Sequence, residues 1–298
     1  MIVNQKSFPF VSVIIPVFND TKRLKYCLQA LESQTYLKNL YEVIVINNNS
    51  TENIQTVVDR FPQVRMANEK KQGSYAARNK GISLSLGKIL AFTDSDCIPA
   101  GDWIEKGVAA LQKNPDCAMV AGEIELFYQN PHKPTIVELY DSMNFLRQKV
   151  FVEELKFGAT ANLFTFKDCF EKVGLFDTDL KSSGDREWGQ RLFNSGLKQV
   201  YANDARVAHP ARNEVKEIKK KTARIVEGLY TLENQQKKSL PSFVNEVFWD
   251  IKPPRKEIIE IFKTIDLNSL NQKIEYIMLF LQLRWIGAGK KIELYFKG

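Results

Sequence analysis

Residues 87–99 read GKILAFTDSDCIP, a short apolar run that ends in two aspartates one residue apart. Ile89, Leu90 and Phe92 suit a strand covered on both faces, whereas Asp94, Ser95, Asp96 and Pro99 break it. Positions i and i+2 of an extended chain point the same way, about 6.6 Å apart at ~3.3 Å per residue. Two carboxylates so placed repel each other unless a cation, a hydrogen-bond donor or water compensates. Oxygen-rich sites of this kind suit Mg²⁺ or Mn²⁺ carrying a substrate phosphate. The triplet alone is weak, because 14 Asp in 298 residues would give roughly 0.7 such triplets by chance. A second copy, Asp177-Thr178-Asp179, reads as turn chemistry. Context has to decide.

The flanking pattern supplies it. VSVIIPVF (11–18) is a β-branched run, followed by a helix with Leu24, Leu28 and Leu31 on one stripe and Asp20 or Thr21 as its cap. EVIVI (42–46) is the next buried strand, followed by a helix near 52–60; VRMAN (64–68) is a third strand, and residues 74–85 a helix. Alternating strands and helices imply a mostly parallel sheet with helices on both faces, and ligands sit beyond the carboxyl ends of such strands. Phe18-Asn19, Asn47-Asn48-Asn49 and Asp94-Ser95-Asp96 therefore collect at one edge of the sheet. Further on, 117–128 predicts one or two strands, 134–150 a helix, 158–166 a strand, and KDCFEKVG a short helix stopped by Gly174. SGDREWGQRLFNSG gives a loop and a helix stopped by Gly196, and a strand runs on to His209. From 211 the chain turns helical and polar, which marks a C-terminal extension.

Composition bounds the function. Hydrophobic content of 44% and charged content of 26% are those of a soluble globular protein. A net charge of +7 favours anionic partners, but nucleic acid does not account for an acidic crevice. Four scattered cysteines and two histidines exclude a zinc cluster or disulfide framework and predict a reducing cytosol. The N-terminus carries no signal-peptide pattern, and 276–289, interrupted by Arg284, falls short of the ~20 residues a spanning helix needs.

Five segments in order, VSVIIPVFND, VIVINNNST, GSYAARNKGI, GKILAFTDSDCIP and GLFDTDLKSSGDREWGQRL, resemble the large family of inverting nucleotide-sugar glycosyltransferases with a GT-A fold, family 2 type. The resemblance covers roughly residues 9–212. It implies an α/β protein with one Rossmann-like, mostly parallel sheet. Residues 1–97 would form the nucleotide-sugar-binding half, 98–210 the acceptor-binding half and 211–298 the helical extension. It implies a metal site for Mn²⁺ or Mg²⁺ at Asp96, completed by His209, with Asp94 facing the ribose and metal-bound water. Asp185 matches the general base, with Glu187 as its competitor. Pro16, Phe18, Asn19, Asn47 and Asn48 would meet the nucleotide, Arg78 and Arg212 the diphosphate, and Gly184, Glu187 and Trp188 the sugar or acceptor. One departure is the Asn47-Asn48-Asn49 run, where relatives usually carry an Asp for the base; an Asn carbonyl still accepts a ring N–H.

The expected partners are a nucleotide diphosphate sugar and a saccharide or lipid-linked acceptor. The basic helix at 214–230 would lie on the inner membrane face, and 276–286 would form a second membrane contact or a homodimer interface. Rivals are a nucleotidyltransferase, which needs a Gly-rich loop that PVFNDTKRL lacks, and a non-catalytic nucleotide-sugar binder or assembly subunit that keeps the fold.

Overall fold

Val11, Val13, Ile14 and Ile15 are all fully buried, because the first strand is covered on both faces. Val11, Val13, Ile15 and Val17 pack in one core cluster with Leu24, Leu28 and Leu31; Ile14 belongs to a second cluster with Leu90, Phe92 and Trp188. The structure, a computed structural model, describes residues 8–114, 116–233, 239–264, 267 and 269–297. The chain divides into two units. Unit 1 comprises 1–126, 146–179 and 184–210, and unit 2 comprises 127–145, 180–183 and 211–298.

Unit 1 is built on an eight-stranded sheet. In chain order its elements are β1 (Val11–Val17), α1 (Thr21–Glu32), β2 (Tyr41–Asn47), α2 (Gln55–Val58), β3 (Val64–Asn68), α3 (Ser74–Leu84) and β4 (Ile89–Thr93). Then come β5 (Ile98–Pro99), α4 (Trp103–Lys113) and β6 (Cys117–Phe127). The strand order is β3-β2-β1-β4-β7-β6-β8-β5, where β7 is Asn162–Phe166 and β8 is Lys198–Pro210. The pairs β2–β3, β1–β2 and β1–β4 are parallel, while β4–β7, β6–β7 and β5–β8 are antiparallel. The expected α/β architecture with a Rossmann-like parallel half is present.

Local departures have local causes. The predicted helix over 134–150 is broken into α5 (Ile136–Asn144) and α6 (Gln148–Glu153), with Leu146 between them in the left-handed region at φ 55°. The helix expected near 52–60 shrinks to α2. Asp20 sits at the N-cap of α1, but its carboxylate takes the Arg23 Nε at 2.9 Å instead of a backbone N–H. Gly174, at φ 84°, ends α7 (Asp168–Val173), and α8 runs over Gly184–Asn194. Gly196 follows α8 at φ 85°.

Unit 2 gathers α5 with α9 (Val215–Glu233), α10 (Leu240–Ile251), α11 (Arg255–Thr264) and α12 (Leu270–Lys297). Its core joins Val137 and Tyr140 of α5 to Ile218 of α9 and to Tyr276, Leu279 and Leu283 of α12. A buried ion pair fastens it: Lys221 Nζ lies 2.6 Å from Asp141, whose other oxygen accepts the Arg212 N–H at 2.9 Å. Burial pushes the Lys221 ammonium below the usual lysine value, and the Asp141 charge opposes that shift. Lys221, read in sequence as part of a leaflet-facing basic helix, instead points into its own unit. Among the described residues no helix is long and apolar enough to cross a membrane.

Trp188 is fully buried on α8, stacked on Phe170 at 4.6 Å, with its indole N–H donating to the Gly174 carbonyl at 3.1 Å. Trp188→Ala is expected to destabilise unit 1 by about 3–5 kcal/mol, because the cavity and the orphaned carbonyl add to the lost burial. The denaturant midpoint checks this, and a shift under about 1 kcal/mol contradicts the packing role.

Candidate active site

The order β3-β2-β1-β4 makes β1 and β4 the place where successive connections depart in opposite directions. At such a switch point a crevice opens at the strands' carboxyl ends. Phe18 and Asn19 leave β1 there, and Asp94, Ser95 and Asp96 leave β4.

Asp96 is 9% and His209 5% exposed, and their facing atoms, Oδ1 and Nε2, lie 3.6 Å apart. The pairing of Ile98 with Ala208 across β5 and β8 brings His209 alongside. His209 Nδ1 is 2.8 Å from the Pro210 carbonyl, which can only accept, so that nitrogen carries a proton, and in the neutral ring Nε2 turns a lone pair toward the carboxylate. A lone pair facing a carboxylate oxygen beyond hydrogen-bond reach leaves a position that a cation satisfies. A carboxylate with a neutral imidazole is a donor set suited to Mn²⁺ or Mg²⁺, Mn²⁺ better of the two. Cys97 lies in the same cluster, yet burial first and the Asp96 and Asp94 charges next push its thiol well up, so it stays a protonated neighbour and a poor ligand for a hard ion. The second Asp-x-Asp behaves as a turn: Asp177 accepts the Asp179 N–H at 2.9 Å, and the Asp179 side chain is largely exposed.

Asp185 stands in the first turn of α8, just after Ser183 in the left-handed region at φ 63°. Its Oδ1 accepts the Arg186 N–H at 3.0 Å and the Tyr75 hydroxyl at 3.1 Å. Burial raises the Asp185 carboxyl above the ordinary aspartate value, and the Arg78 charge and these donors pull it back. The same burial, with the Asp185 charge, pushes the Tyr75 phenol far up, so it remains a donor. Arg78, 3% exposed, pairs with Asp94 Oδ1 and lies with its guanidinium 5.6 Å from the centre of the Tyr75 ring. Asp94, Arg78, Tyr75 and Asp185 thus form one connected series within unit 1. Gly184 permits it: a Cβ there would meet the Tyr75 ring at 2.7 Å.

The asparagines tie loops. Asn48, 6% exposed, donates to the Glu69 and Lys71 carbonyls at 3.0 and 2.7 Å and accepts the Gly73 N–H at 2.8 Å. Gly73, at φ 129°, turns the chain into α3. Asn47 accepts the Ser50 N–H and donates to Asn68, both at 3.0 Å. Asn19 accepts the Thr51 N–H at 2.7 Å, which joins the turn after β1 to the loop after β2. Pro16 sits in β1 opposite Ile46, and Phe18 is 54% exposed at the rim.

Two expectations about side chains change. Trp188 cannot wall a substrate because it is fully buried behind the site. Glu187 is held by Arg191 at 2.6 and 2.9 Å, whereas the Asp185 carboxylate is bound by the Tyr75 hydroxyl and the Arg186 N–H. Arg212 lies in unit 2, and its backbone N–H donates to Asp141, which leaves the role expected of its guanidinium untouched. Two residues escaped the sequence reading. Arg23 Nη1 lies 3.7 Å from Asp96 Oδ2 while its Nε holds Asp20, and Tyr75 supports Asp185. The i, i+3 spacing of Asp20 and Arg23 was visible, but nothing local linked Arg23 to Asp96.

Residues 12–174 match the sequence profile of the family described as Glycosyl transferase family 2. The chain belongs to that family. This family 2 glycosyltransferase is 38% identical over 227 residues to the glycosyltransferase AglE of Haloferax volcanii, covering 74% of this chain and 73% of the relative. It is 25% identical over 231 residues to a dolichyl N-acetyl-alpha-D-glucosaminyl phosphate 3-beta-D-2,3-diacetamido-2,3-dideoxy-beta-D-glucuronosyltransferase of Methanococcus voltae, covering 72% of this chain and 70% of the relative. Among solved structures, a Pyrobaculum calidifontis mannosyltransferase in complex with GDP-Man and Mn²⁺ superposes with a TM-score of 0.67. The identity there is 18%, over 96% of this chain and 88% of that one, so the likeness is one of fold. The family 2 transferase therefore has the GT-A fold, and its activity is glycosyl transfer in glycan biosynthesis.

The raised carboxyl of Asp185 has a consequence for stability. Above its raised value, the folded wild type keeps a charge where hydration is poor. Below the ordinary aspartate value the folded and unfolded states are both protonated, and the penalty vanishes. Asp185→Asn is therefore expected to melt above wild type at neutral pH, with the gap closing as pH falls. A scanning-calorimetry series across pH reads it, and a variant that melts lower at neutral pH contradicts the burial effect.

Proposed function

We propose that this glycosyltransferase moves a sugar from a nucleotide diphosphate donor to the hydroxyl of a saccharide or lipid-linked acceptor, with inversion, by a single displacement. The carrying observation is the series Asp94–Arg78–Tyr75–Asp185, which couples a carboxylate at the end of β4 to a base candidate at the start of α8. Asp185 takes the acceptor proton as the acceptor oxygen attacks the anomeric carbon, and the bond to the diphosphate breaks on the opposite side. The Tyr75 hydroxyl and the Arg186 N–H fix the carboxylate's direction, so its second oxygen is the one that receives the proton. Holding both substrates in this geometry supplies much of the rate.

Asp96 and His209 would hold a divalent cation, Mn²⁺ or Mg²⁺, which when bound supplies positive charge to the departing diphosphate. Arg23, beside Asp96, is positioned to add charge at the same place. In this reading residues 1–97 bind the nucleotide sugar and 98–210 the acceptor. The name of the Methanococcus voltae relative, a transferase acting on a dolichyl-linked sugar phosphate, supports a lipid-linked acceptor.

Asp185→Asn is expected to lower kcat by about 10²–10⁴-fold with donor affinity nearly unchanged, measured as transfer to acceptor and as donor binding. A kcat within threefold of wild type removes Asp185 from the base role. In the wild type, kcat/KM should fall with decreasing pH through a value above the ordinary aspartate range, because the base must be ionised and burial raises it. An acid limb at the ordinary value would show the carboxylate to be fully hydrated. His209→Ala should weaken Mn²⁺ binding roughly 10–100-fold in a titration without substrate, and unchanged affinity places the cation elsewhere.

A further inference from the structure

Helices α10 and α12 each carry more apolar surface than their packing uses. On α10, Phe243 and Val247 are buried against Ala288 and Tyr295 of α12, yet Leu240, Val244, Phe248 and Ile251 stand 46–56% exposed beside them. Along α12, Leu270, Ile274, Met278, Trp285, Ile292 and Phe296 are 37–74% exposed. At 100° per residue these six fall within an arc of about 80°, a line running the helix's length of roughly 42 Å. The two stripes meet: the Trp285 indole N–H donates to the Ile251 carbonyl at 3.3 Å, and Arg284 donates to the Trp249 carbonyl at 2.8 Å. Met278 and Trp285 also line a groove of about 480 Å³ with Ile136, Val137 and Val215, so the surface has apolar depth.

Cations flank the tryptophans of this surface, while Glu246 and Asp250 of α10 are paired with Lys291 of α12. The Lys252 ammonium lies 4.3 Å from the centre of the exposed Trp249 ring, and Arg284 sits beside it. Unit 2 holds 19 Lys and Arg against 13 Asp and Glu, which is +6 of the chain's +7. An apolar area of this extent on a soluble protein marks an interaction site. An anionic leaflet answers both the positive charge of the unit and the exposed tryptophans, which favour the headgroup level.

We propose that the α10–α12 face of unit 2 is an interfacial docking surface for an anionic lipid leaflet, with Phe248, Trp249, Met278 and Trp285 entering the headgroup–acyl boundary. This deepens the lipid-linked acceptor reading by naming the surface that brings the enzyme to the lipid, but its test needs no sugar.

The chain's four tryptophans report on it directly. Trp103 and Trp188 are fully buried in unit 1, so a spectral change on adding lipid comes from Trp249 and Trp285. Wild-type protein titrated with vesicles of equal parts phosphatidylglycerol and phosphatidylcholine should show a blue shift, quenching by brominated acyl chains, and weaker partition in pure phosphatidylcholine. Trp249→Ser with Trp285→Ser should lower partition in flotation at least about tenfold. Phe248→Ser with Met278→Ser keeps both reporters and should do likewise, with an unchanged far-ultraviolet circular dichroism spectrum for each variant. Absence of any shift on anionic vesicles overturns the proposal. So does a blue shift that grows with protein concentration without lipid, accompanied by a dimer in sedimentation, since a second copy then covers the face. Because no donor or acceptor enters the measurement, its failure leaves the role of Asp185 standing, and a failed transfer assay leaves this surface standing.

Discussion

Arg78 is almost wholly removed from water, and a buried guanidinium has to be answered by charge within the protein. Asp94 answers it directly, the Tyr75 ring lies under it, and Asp185 feels its field from the far side of Tyr75. One cation thereby links residues of two different elements, pairing with Asp94 at the end of β4 and opposing the upward pull of burial on Asp185 at the start of α8. The tight approach of α8 to α3 through Gly184 and Tyr75 follows from the same need.

Around that charge the loops at the strand ends are fastened mainly by side chain amides. Asn48 uses its side-chain amide on the 69–73 segment, and Asn19 and Asn47 lace together the turns after β1 and β2. These bonds hold the crevice floor in place before any substrate arrives, and preorganisation of this kind lowers the ordering cost of binding. Asn47, in the run where the resemblance implies an aspartate, has its carbonyl occupied by the Ser50 N–H. A nucleotide base would have to share that oxygen, which has a second lone pair.

Legibility in the sequence followed the range of the interaction. The buried strands VSVIIPVF and EVIVI, the leucine stripe of α1 and the stops at Gly174 and Gly196 rest on contacts between near neighbours or on one residue's own backbone, so periodicity exposed them. The break between α5 and α6 was not legible, because Leu146 adopts its left-handed conformation to satisfy packing outside the segment. Trp188, expected at the sugar or acceptor, was misplaced for the same reason: only the positions of Phe170 and Phe176 decide which side of α8 it faces.

By itself the chain determined the alternation of strands and helices, the acidic residues at the end of β4 and the family to which they belong, since those are written in local pattern and ordered motifs. Tertiary structure alone decided that His209 reaches Asp96, that Arg78 sits beneath Asp94 and that Asp185 stays with Tyr75. It also left a second apolar stripe on α10 and α12 uncovered. The physical reason is common to all of these. Which charge neutralises which, and which apolar face finds a partner, depends on side chains up to more than a hundred residues apart meeting in space.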